Sequence, residues 1–208
     1  MHVHILPFII VALVLVVAPG PDTVLVTKNA LLHGRRAALA TVAGISVGLV
    51  TWIAAAAVGL AALLRESQTA FTALRIAGAV YLAWLGLGAL RAAWRRQGEP
   101  AAVASPQARV GVQRGFRQGL LCNLGNPKIA VFFTSLLPQF VSGHRPGALP
   151  FLLLGGVFAL LGLGWLSAYA LLASRFSALL RNPRVKSALD AVTGLVLIGV
   201  GVRLAVDG

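Results

Sequence analysis

The sequence predicts an all-α integral membrane protein with six transmembrane helices, arranged as a 3+3 inverted repeat in which the first and fourth helices are broken at proline. Three observations lead to this prediction. Of the 208 residues, 58% are apolar and only 11% are charged, whereas an average soluble domain is about half apolar and about a quarter charged. Long uncharged stretches alternate with short basic clusters. The order of these features in the first half of the chain returns in the second half.

The composition excludes several classes of protein. A mean hydropathy of +0.87 is far too high for a disordered chain, and a single cysteine, Cys122, cannot form a disulfide framework. A net charge of +13 would suggest nucleic-acid binding in a soluble protein. Here the basic residues lie between apolar stretches, which is typical of membrane loops. We therefore expect a lipid bilayer around the chain and no nucleic-acid partner.

Six stretches are expected to cross the membrane, since a helix needs about 20 residues to span about 30 Å of hydrocarbon. The strongest are the second and fifth, each of which has 28 residues without a charged side chain. The fourth and sixth are weaker because each contains charged residues. In chain order the predicted spans are Ile5–Thr27, Ala37–Leu64, Thr69–Leu90, Phe116–Val141, Gly147–Ser174 and Ser187–Val206.

The first apolar stretch also has the length of a secretory signal peptide core. No Lys or Arg precedes it, however, and Pro19-Gly20-Pro21 is not a small-residue cleavage site. We expect the first span to be retained.

The basic residues predict the orientation in a bacterial inner membrane, because Lys and Arg concentrate in cytoplasmic loops. Lys28–Arg36, Arg91–Arg117 and Arg175–Ser187 together hold 13 of them, whereas the other connections and the two ends hold 4. Both termini are therefore expected outside the cytoplasm. Residues 97–113 form a cytoplasmic linker between half-repeats at about 1–95 and 115–208 of a single transmembrane domain, 1–208.

The repeat is visible in three spacings. Pro21 and Pro127 are 106 residues apart, the starts of the two long uncharged helices are 110 apart, and the starts of the last helices of each half are 112 apart. Three crossings per half turn the second half upside down. Inverted repeats with paired broken helices are typical of secondary transporters, whose site lies between the halves. The alternative, that six spans in 208 residues are evenly spaced anyway, does not predict a proline in both first helices.

The first break supplies four candidate site residues, Pro19, Gly20, Pro21 and Asp22. A proline has no N–H and leaves a carbonyl one turn earlier without a partner, which is costly in lipid. The freed carbonyls and the start of the next half-helix can line a polar cavity. Asp22 has two open roles: an N-cap of that half-helix, or a carboxylate that binds a ligand or a proton.

The second break supplies Asn126, Pro127 and Lys128. Counted along the helices from the membrane edges, both breaks fall at similar depths, so they can meet. We hypothesise that Asp22 and Lys128 form a buried ion pair or together bind the ammonium and carboxylate of a zwitterion. The alternative is that Lys128 extends to the lipid headgroups.

These breaks resemble the signatures of the LysE/RhtB family of bacterial amino-acid exporters. The similarity is carried by Ala18-Pro19-Gly20-Pro21-Asp22 and by Gly125-Asn126-Pro127-Lys128, followed by Phe132-Phe133 and Leu137-Pro138-Gln139-Phe140. It extends over nearly the whole chain. The resemblance implies export of amino acids or close derivatives from the cytoplasm, driven by the proton gradient. The resemblance does not specify which amino acid or derivative is exported. It also leaves open whether the protein forms a homo-oligomer.

Other features support a transporter with alternating access rather than an enzyme. Ala40, Gly44 and Gly48 recur every fourth residue and predict a face for close helix packing. The four histidines are spread over both sides, so no metal site is expected. No Walker loop or dinucleotide motif is present, so no cofactor is expected. An intramembrane enzyme, or a scaffold without transport activity, remains the alternative.

The orientation is tested by fusing alkaline phosphatase to the chain. This enzyme folds only where its disulfides form, outside the cytoplasm. A fusion after Gly208 should be active and a fusion after Ser105 inactive. The reverse pattern would invert the topology.

Overall fold

The computed structural model describes residues 2–3, 5–18, 20–66, 68–95, 111–142 and 147–172, together with residues 187–188, 191–192, 194–195, 198–199 and 202. Regular structure within these ranges is helical, apart from one antiparallel pairing of His2–Val3 (β1) with Val141–Ser142 (β2). Pro19, residues 97–110 of the predicted linker and much of the predicted sixth span, Ser187–Val206, lie outside the described residues.

Within the described ranges up to residue 172, four helices lie in the first half of the chain and three in the second. The first four are α1 (Ile5–Val17), α2 (Pro21–His33), α3 (Arg35–Glu66) and α4 (Gln68–Arg95). The other three are α5 (Val112–Leu124), α6 (Pro127–Val131) and α7 (Leu149–Leu172). A π-helical turn, Phe132–Leu136, and a 3₁₀ turn, Leu137–Phe140, continue α6.

Two to four of these elements are long and apolar enough to cross a membrane. Residues Arg35–Gly59 of α3 and the whole of α7 meet the requirement alone. α1 and α2 meet it together with a bend of 45°, and α5 meets it together with Pro127–Phe140 with a bend of 47°. For the part of the chain that the structure describes, the predicted helical class is therefore confirmed, with two to four candidate membrane spans.

Three helices of the first half, α2, α3 and α4, extend beyond the apolar stretches that predicted them. α2 continues to His33, beyond the predicted end of the first span at Thr27, so much of the expected loop Lys28–Arg36 is helical. The chain turns at Gly34, whose φ of 85° favours glycine, and α3 starts at the next residue. The expected loop was too long because hydropathy reports the part of a helix that lies in hydrocarbon, not the whole helix.

α3 and α5 approach each other closely through small residues. A Cβ at Gly44 of α3 would overlap the Phe116 carbonyl, and a Cβ at Gly119 of α5 would overlap the Thr41 carbonyl. These atoms belong to backbone, so they cannot move aside cheaply. The contact therefore depends on both glycines.

The other two residues of the predicted packing face also lie against α5. A Cβ at Gly115 would lie 3.5 Å from the Ala40 side chain, and a Cβ at Gly48 would lie 2.6 Å from the Asn123 side-chain oxygen. The structure thus places Ala40, Gly44 and Gly48 on one face of α3. Gly115 and Gly119 form the complementary face of α5.

An aromatic cluster fills the space between α1, α7 and the segment after α6. Phe8 and Phe140 meet edge to face with ring centroids 5.4 Å apart. Phe132 and Phe158 stack at 4.0 Å, and Phe133 packs edge to face on Phe132 at 5.1 Å. This cluster is the apolar core on the α1 side of the molecule.

The α3–α5 contact is tested by Gly44→Ala, with Gly164→Ala as the control because nothing lies within 4 Å of a Cβ at Gly164. Overpacking costs about 1–3 kcal/mol, so Gly44→Ala should lower the apparent melting temperature in detergent by roughly 2 °C or more. Gly164→Ala should leave it unchanged or raise it, since alanine favours helix. Equal melting temperatures for the two variants would contradict the contact.

Candidate functional site

The first break places Asp22 inside the molecule at the start of α2. Gly20 is the N-cap, in extended conformation, and Pro21 is the first helical residue. Proline is favoured there because its missing N–H has no helical partner to lose. Asp22 follows in the first turn, is only 8% exposed, and does not cap the helix, since the cap makes no side-chain hydrogen bond. The N-cap role expected for Asp22 is therefore wrong, although a carboxylate in the first turn still suits the helix dipole.

Asp22 is joined to the other half of the chain by Asn123. The side-chain amide of Asn123 donates from Nδ2 to Asp22 Oδ2 at 2.8 Å. Asn123 is fully buried in α5. Among the residues that the structure describes, neither Asp22 Oδ1 nor Asn123 Oδ1 has a hydrogen-bond partner, and both atoms are buried. The pair therefore offers two free acceptor oxygens in a buried position, where an unpaired polar atom is costly.

The second break is built around Asn126. Its Oδ1 accepts from the Lys128 backbone N–H at 3.1 Å, which caps α6, and Pro127 is the first helical residue. Asparagine is among the best N-cap residues because its side-chain oxygen satisfies a free N–H. Asn126 is 1% exposed, and its Nδ2 has no partner.

Lys128 reaches across to the end of α1. Its Nζ donates to the carbonyl of Leu15 at 2.9 Å and to that of Ala18 at 3.1 Å. In a continuous helix the Leu15 carbonyl would accept from residue 19, which is a proline and has no N–H. The ammonium of Lys128 thus takes the place of a missing backbone donor, at the helix end where a cation is favoured.

These bonds differ from the hypotheses for Lys128. None of them goes to Asp22, whose Oδ2 accepts from Asn123 and whose Oδ1 has no hydrogen-bond partner among the described residues, so a direct ion pair is not formed. The ammonium does not extend to the headgroups either, since it is bonded at the break in α1. Lys128 nevertheless lies beside the first break, since it bonds to the Ala18 carbonyl and packs against Gly20, two residues before Asp22.

Gly20 provides the space that Lys128 occupies. A Cβ at Gly20 would lie 2.9 Å from Lys128 Nζ and 3.3 Å from its Cε. An alanine at this position would therefore push the ammonium away from the α1 carbonyls.

A second set of polar contacts lies along α2 beyond Asp22. Asn29, 1% exposed, donates from Nδ2 to Thr41 Oγ1 at 2.7 Å and to Gln118 Oε1 at 3.1 Å. Seven residues separate Asp22 from Asn29, or about 10 Å along a helix. Hydrogen bonds thus join α2, α3 and α5 on this side of the breaks. On the other side, α1 packs against aromatic rings instead.

The structure brings Gly20, Pro21, Asp22 and the Asn126-Pro127-Lys128 segment into one region, while Pro19 lies outside the described residues. Sequence reasoning missed Asn123, Asn29 and Gln118. Asn123 left a signal, because it is the one amide side chain within Leu120–Leu124 and stands three residues before Asn126. Within the described ranges, no three His, Cys, Asp or Glu side chains are grouped so as to hold a metal ion.

Comparison with known proteins identifies the family. The model for the LysE type translocator family matches residues 13–208. The chain belongs to this family. The resemblance inferred from the motifs at the two breaks is thereby confirmed.

Curated relatives match this LysE-type chain over nearly its full length. A homoserine/homoserine lactone efflux protein of Salmonella typhimurium is 32% identical over 95% of this chain and 94% of its own. A threonine efflux protein of Escherichia coli is 32% identical over 96% of this chain and 98% of its own. An uncharacterized membrane protein of Vibrio cholerae is 31% identical over 99% and 98%. No solved structure matches.

The contact between Gly20 and Lys128 is tested by a double-mutant cycle. Gly20→Ala should lower the apparent melting temperature in the wild type, because the new Cβ displaces the ammonium. In a Lys128→Ala background the same change should cost less, since the obstacle is gone. Residues in contact typically show a coupling of about 0.5–3 kcal/mol. The cycle also cancels the intrinsic cost of alanine at an N-cap. Equal losses in both backgrounds would contradict the contact.

Proposed function

We propose that this protein is a secondary transporter that exports amino acids or close derivatives across the bacterial inner membrane in exchange for protons. Its family is one of translocators, and relatives of the same length are named homoserine and threonine efflux proteins. The observation that carries the proposal is the pair of charged residues at the breaks, the buried Asp22 and the half-buried Lys128. Lys128 lies against Gly20, two residues before Asp22, and Asp22 keeps one oxygen for which the described residues offer no hydrogen-bond partner.

The separated charges of Asp22 and Lys128 are suited to binding a zwitterionic solute. An α-amino acid carries an ammonium and a carboxylate on one carbon, and a carboxylate and an ammonium of the protein can face them. In this proposal Asp22 faces the ammonium of the solute and Lys128 faces its carboxylate. A buried carboxylate is also the usual group for proton coupling within a membrane, so Asp22 exchanges a proton for the solute.

The proposed topology has six spans. α1 with α2 forms the first, α3 the second and α4 the third. α5 with the segment to Phe140 forms the fourth, α7 the fifth and residues 187–206 the sixth. Both termini lie outside the cytoplasm, as the distribution of basic residues favours.

A reciprocal contact supports the inverted repeat. A Cβ at Gly86 of α4 would lie 2.7 Å from the Gly194 carbonyl, and a Cβ at Gly194 would lie 2.7 Å from the Gly86 carbonyl. Gly86 also meets Ile198, and Gly194 meets Leu90, with 108 residues between the members of each equivalent pair. In a two-fold contact, residue i meets j and j meets i. The third and sixth spans therefore cross near a pseudo-two-fold axis.

The breaks follow the same relation. A shift of 106 residues carries Asp22 onto Lys128 and Val17 onto Asn123. Under this shift the observed Asp22–Asn123 contact corresponds to a contact between Lys128 and Val17. The observed bond of Lys128 is to Ala18, the residue next to Val17. In this proposal the axis passes between the breaks, and the binding site lies at the interface of the two repeats, as in other transporters built from inverted repeats.

Alternating access then follows from rocking of the two repeats about this axis. The α2 side of the site is joined by amide and hydroxyl hydrogen bonds, and the α1 side by phenylalanine rings. Each side opens in turn while the other stays closed. The chain carries out no covalent chemistry in this cycle, so it is not an enzyme.

The proposal is tested by efflux of L-threonine and L-homoserine from loaded bacteria. Cells with the wild-type protein should lose both solutes faster than cells without it, and a protonophore should slow this loss. Asp22→Asn should reduce efflux to the level of cells without the protein, because the titratable group is gone. Thr27→Val is the control in the same helix, since Thr27 bonds only to the Thr23 carbonyl of its own helix.

Two outcomes would contradict the proposal at different points. Wild-type efflux of neither solute, at a normal amount of protein in the membrane, would contradict the substrate class. Wild-type efflux that Asp22→Asn leaves unchanged would contradict the role of Asp22. Counterflow of labelled threonine in proteoliposomes distinguishes a carrier from a pore, because only a carrier exchanges solute across a closed site.

A further inference from the structure

We propose that Asn123 and Asn126 are recognition residues for the transported amino acid. Together with Asp22 and Lys128 they form its binding site, which we call the seat. Asn123 Oδ1 joins Asp22 Oδ1 in binding the ammonium of the solute, and Asn126 Nδ2 joins Lys128 in binding its carboxylate. This inference rests on the proposed function and assigns the polar contacts within that same site.

The acceptor half of the seat consists of two orphan oxygens. Asp22 and Asn123 are held together by one hydrogen bond of 2.8 Å, which uses one oxygen of Asp22 and the amide nitrogen of Asn123. The other oxygen of each side chain is buried and has no partner. Both residues are more than nine-tenths buried. An ammonium has three N–H donors and no acceptor, so it satisfies both oxygens and matches the charge of Asp22.

The donor half consists of Asn126 and Lys128. The oxygen of the Asn126 side chain is used in capping α6, and its nitrogen is buried without an acceptor. Lys128 spends two bonds on the α1 carbonyls and has three N–H groups, which leaves one. These donors match a carboxylate, which only accepts hydrogen bonds and binds charged donors strongly.

The two halves are held together by the backbone at the breaks. The Asn126 N–H donates to the Asn123 carbonyl at 3.0 Å, so the two asparagines lie in adjacent turns of one chain segment. Gly20 lies against Lys128 and precedes Asp22 by two residues. The acceptors and donors thus lie on the two chain segments that cross here, the break between α1 and α2 and the break between α5 and α6. In the proposed topology the two repeats meet at this point.

The seat predicts that the ammonium and the carboxylate are recognised by different asparagines. L-homoserine carries both groups, whereas L-homoserine lactone keeps the ammonium and has no free carboxylate. The wild-type protein should therefore bind homoserine more tightly than the lactone. Losing the Asn126 donor should affect homoserine alone, and losing the Asn123 acceptor should affect both solutes.

The experiment compares one substitution at three buried asparagines. Asn126→Ser keeps an N-cap oxygen and removes the amide donor. Asn123→Ser removes the acceptor beside Asp22. Asn29→Ser is the control, because the amide nitrogen of Asn29 is already bonded to Thr41 and Gln118. Binding of homoserine and of its lactone is measured by calorimetry on the purified proteins at mildly acidic pH, where the lactone persists.

The expected result is a change in discrimination. Asn126→Ser should weaken homoserine binding by about tenfold to a hundredfold, the usual worth of a hydrogen bond to a charged group, and leave lactone binding within about threefold. Asn123→Ser should weaken both solutes by a similar factor. Asn29→Ser should keep the wild-type ratio of the two affinities. If Asn126→Ser does not fold, Asn126→Asp replaces it, because aspartate is an equal N-cap that also lacks the donor.

The outcomes separate the seat from the proposed function. A wild-type protein that binds neither solute contradicts the proposed substrate class. A wild-type protein that binds homoserine no more tightly than the lactone overturns the seat, as does an Asn126 variant that weakens both solutes equally. The binding of N-acetyl-L-homoserine as tightly as homoserine would overturn the ammonium half.

Discussion

The need to satisfy backbone groups at two helix breaks governs the rest of this structure. Two prolines before and at the start of α2 remove donors, and in hydrocarbon a carbonyl without a donor costs several kcal/mol. The protein supplies a donor from the second half of the chain, because the ammonium of Lys128 donates to the carbonyls of Leu15 and Ala18. Gly20 is small because that ammonium lies against it. The two halves are therefore held together at the place where each is broken.

This arrangement explains why Asp22 and Lys128 are near each other without a direct bond. A buried ion pair is favourable only if its geometry also satisfies the remaining donors and acceptors. Lys128 has two carbonyls to satisfy, and Asp22 has an amide, Asn123, within reach. Each charge is thus partly stabilised by neutral dipoles. What remains free at the crossing is one oxygen of Asp22, one oxygen of Asn123 and one nitrogen of Asn126.

The two sides of the crossing differ in how they are closed. On the α2 side, Gly44 and Gly119 allow α3 and α5 to touch backbone to backbone, and Asn29 adds hydrogen bonds. Leu154 and Phe158, which stand 110 residues after Gly44 and Gly48, are large and buried. On the α1 side, aromatic rings fill the space between the helices. The α2 side is therefore closed by backbone contact between α3 and α5, and the α1 side by packed side chains.

The sequence by itself determined the helical, apolar class of the chain and its family, because apolar length and the motifs around Pro21 and Pro127 are local features of the chain. It did not determine the partners. An ion pair of Asp22 with Lys128 was one hypothesis. In the tertiary structure Asp22 instead accepts a hydrogen bond from Asn123, and Lys128 donates to the α1 carbonyls. That choice depends on which atoms of a distant segment arrive within 3 Å. Only the crossing of the two halves decides it, since hydropathy and spacing place a residue in depth but not in its contacts.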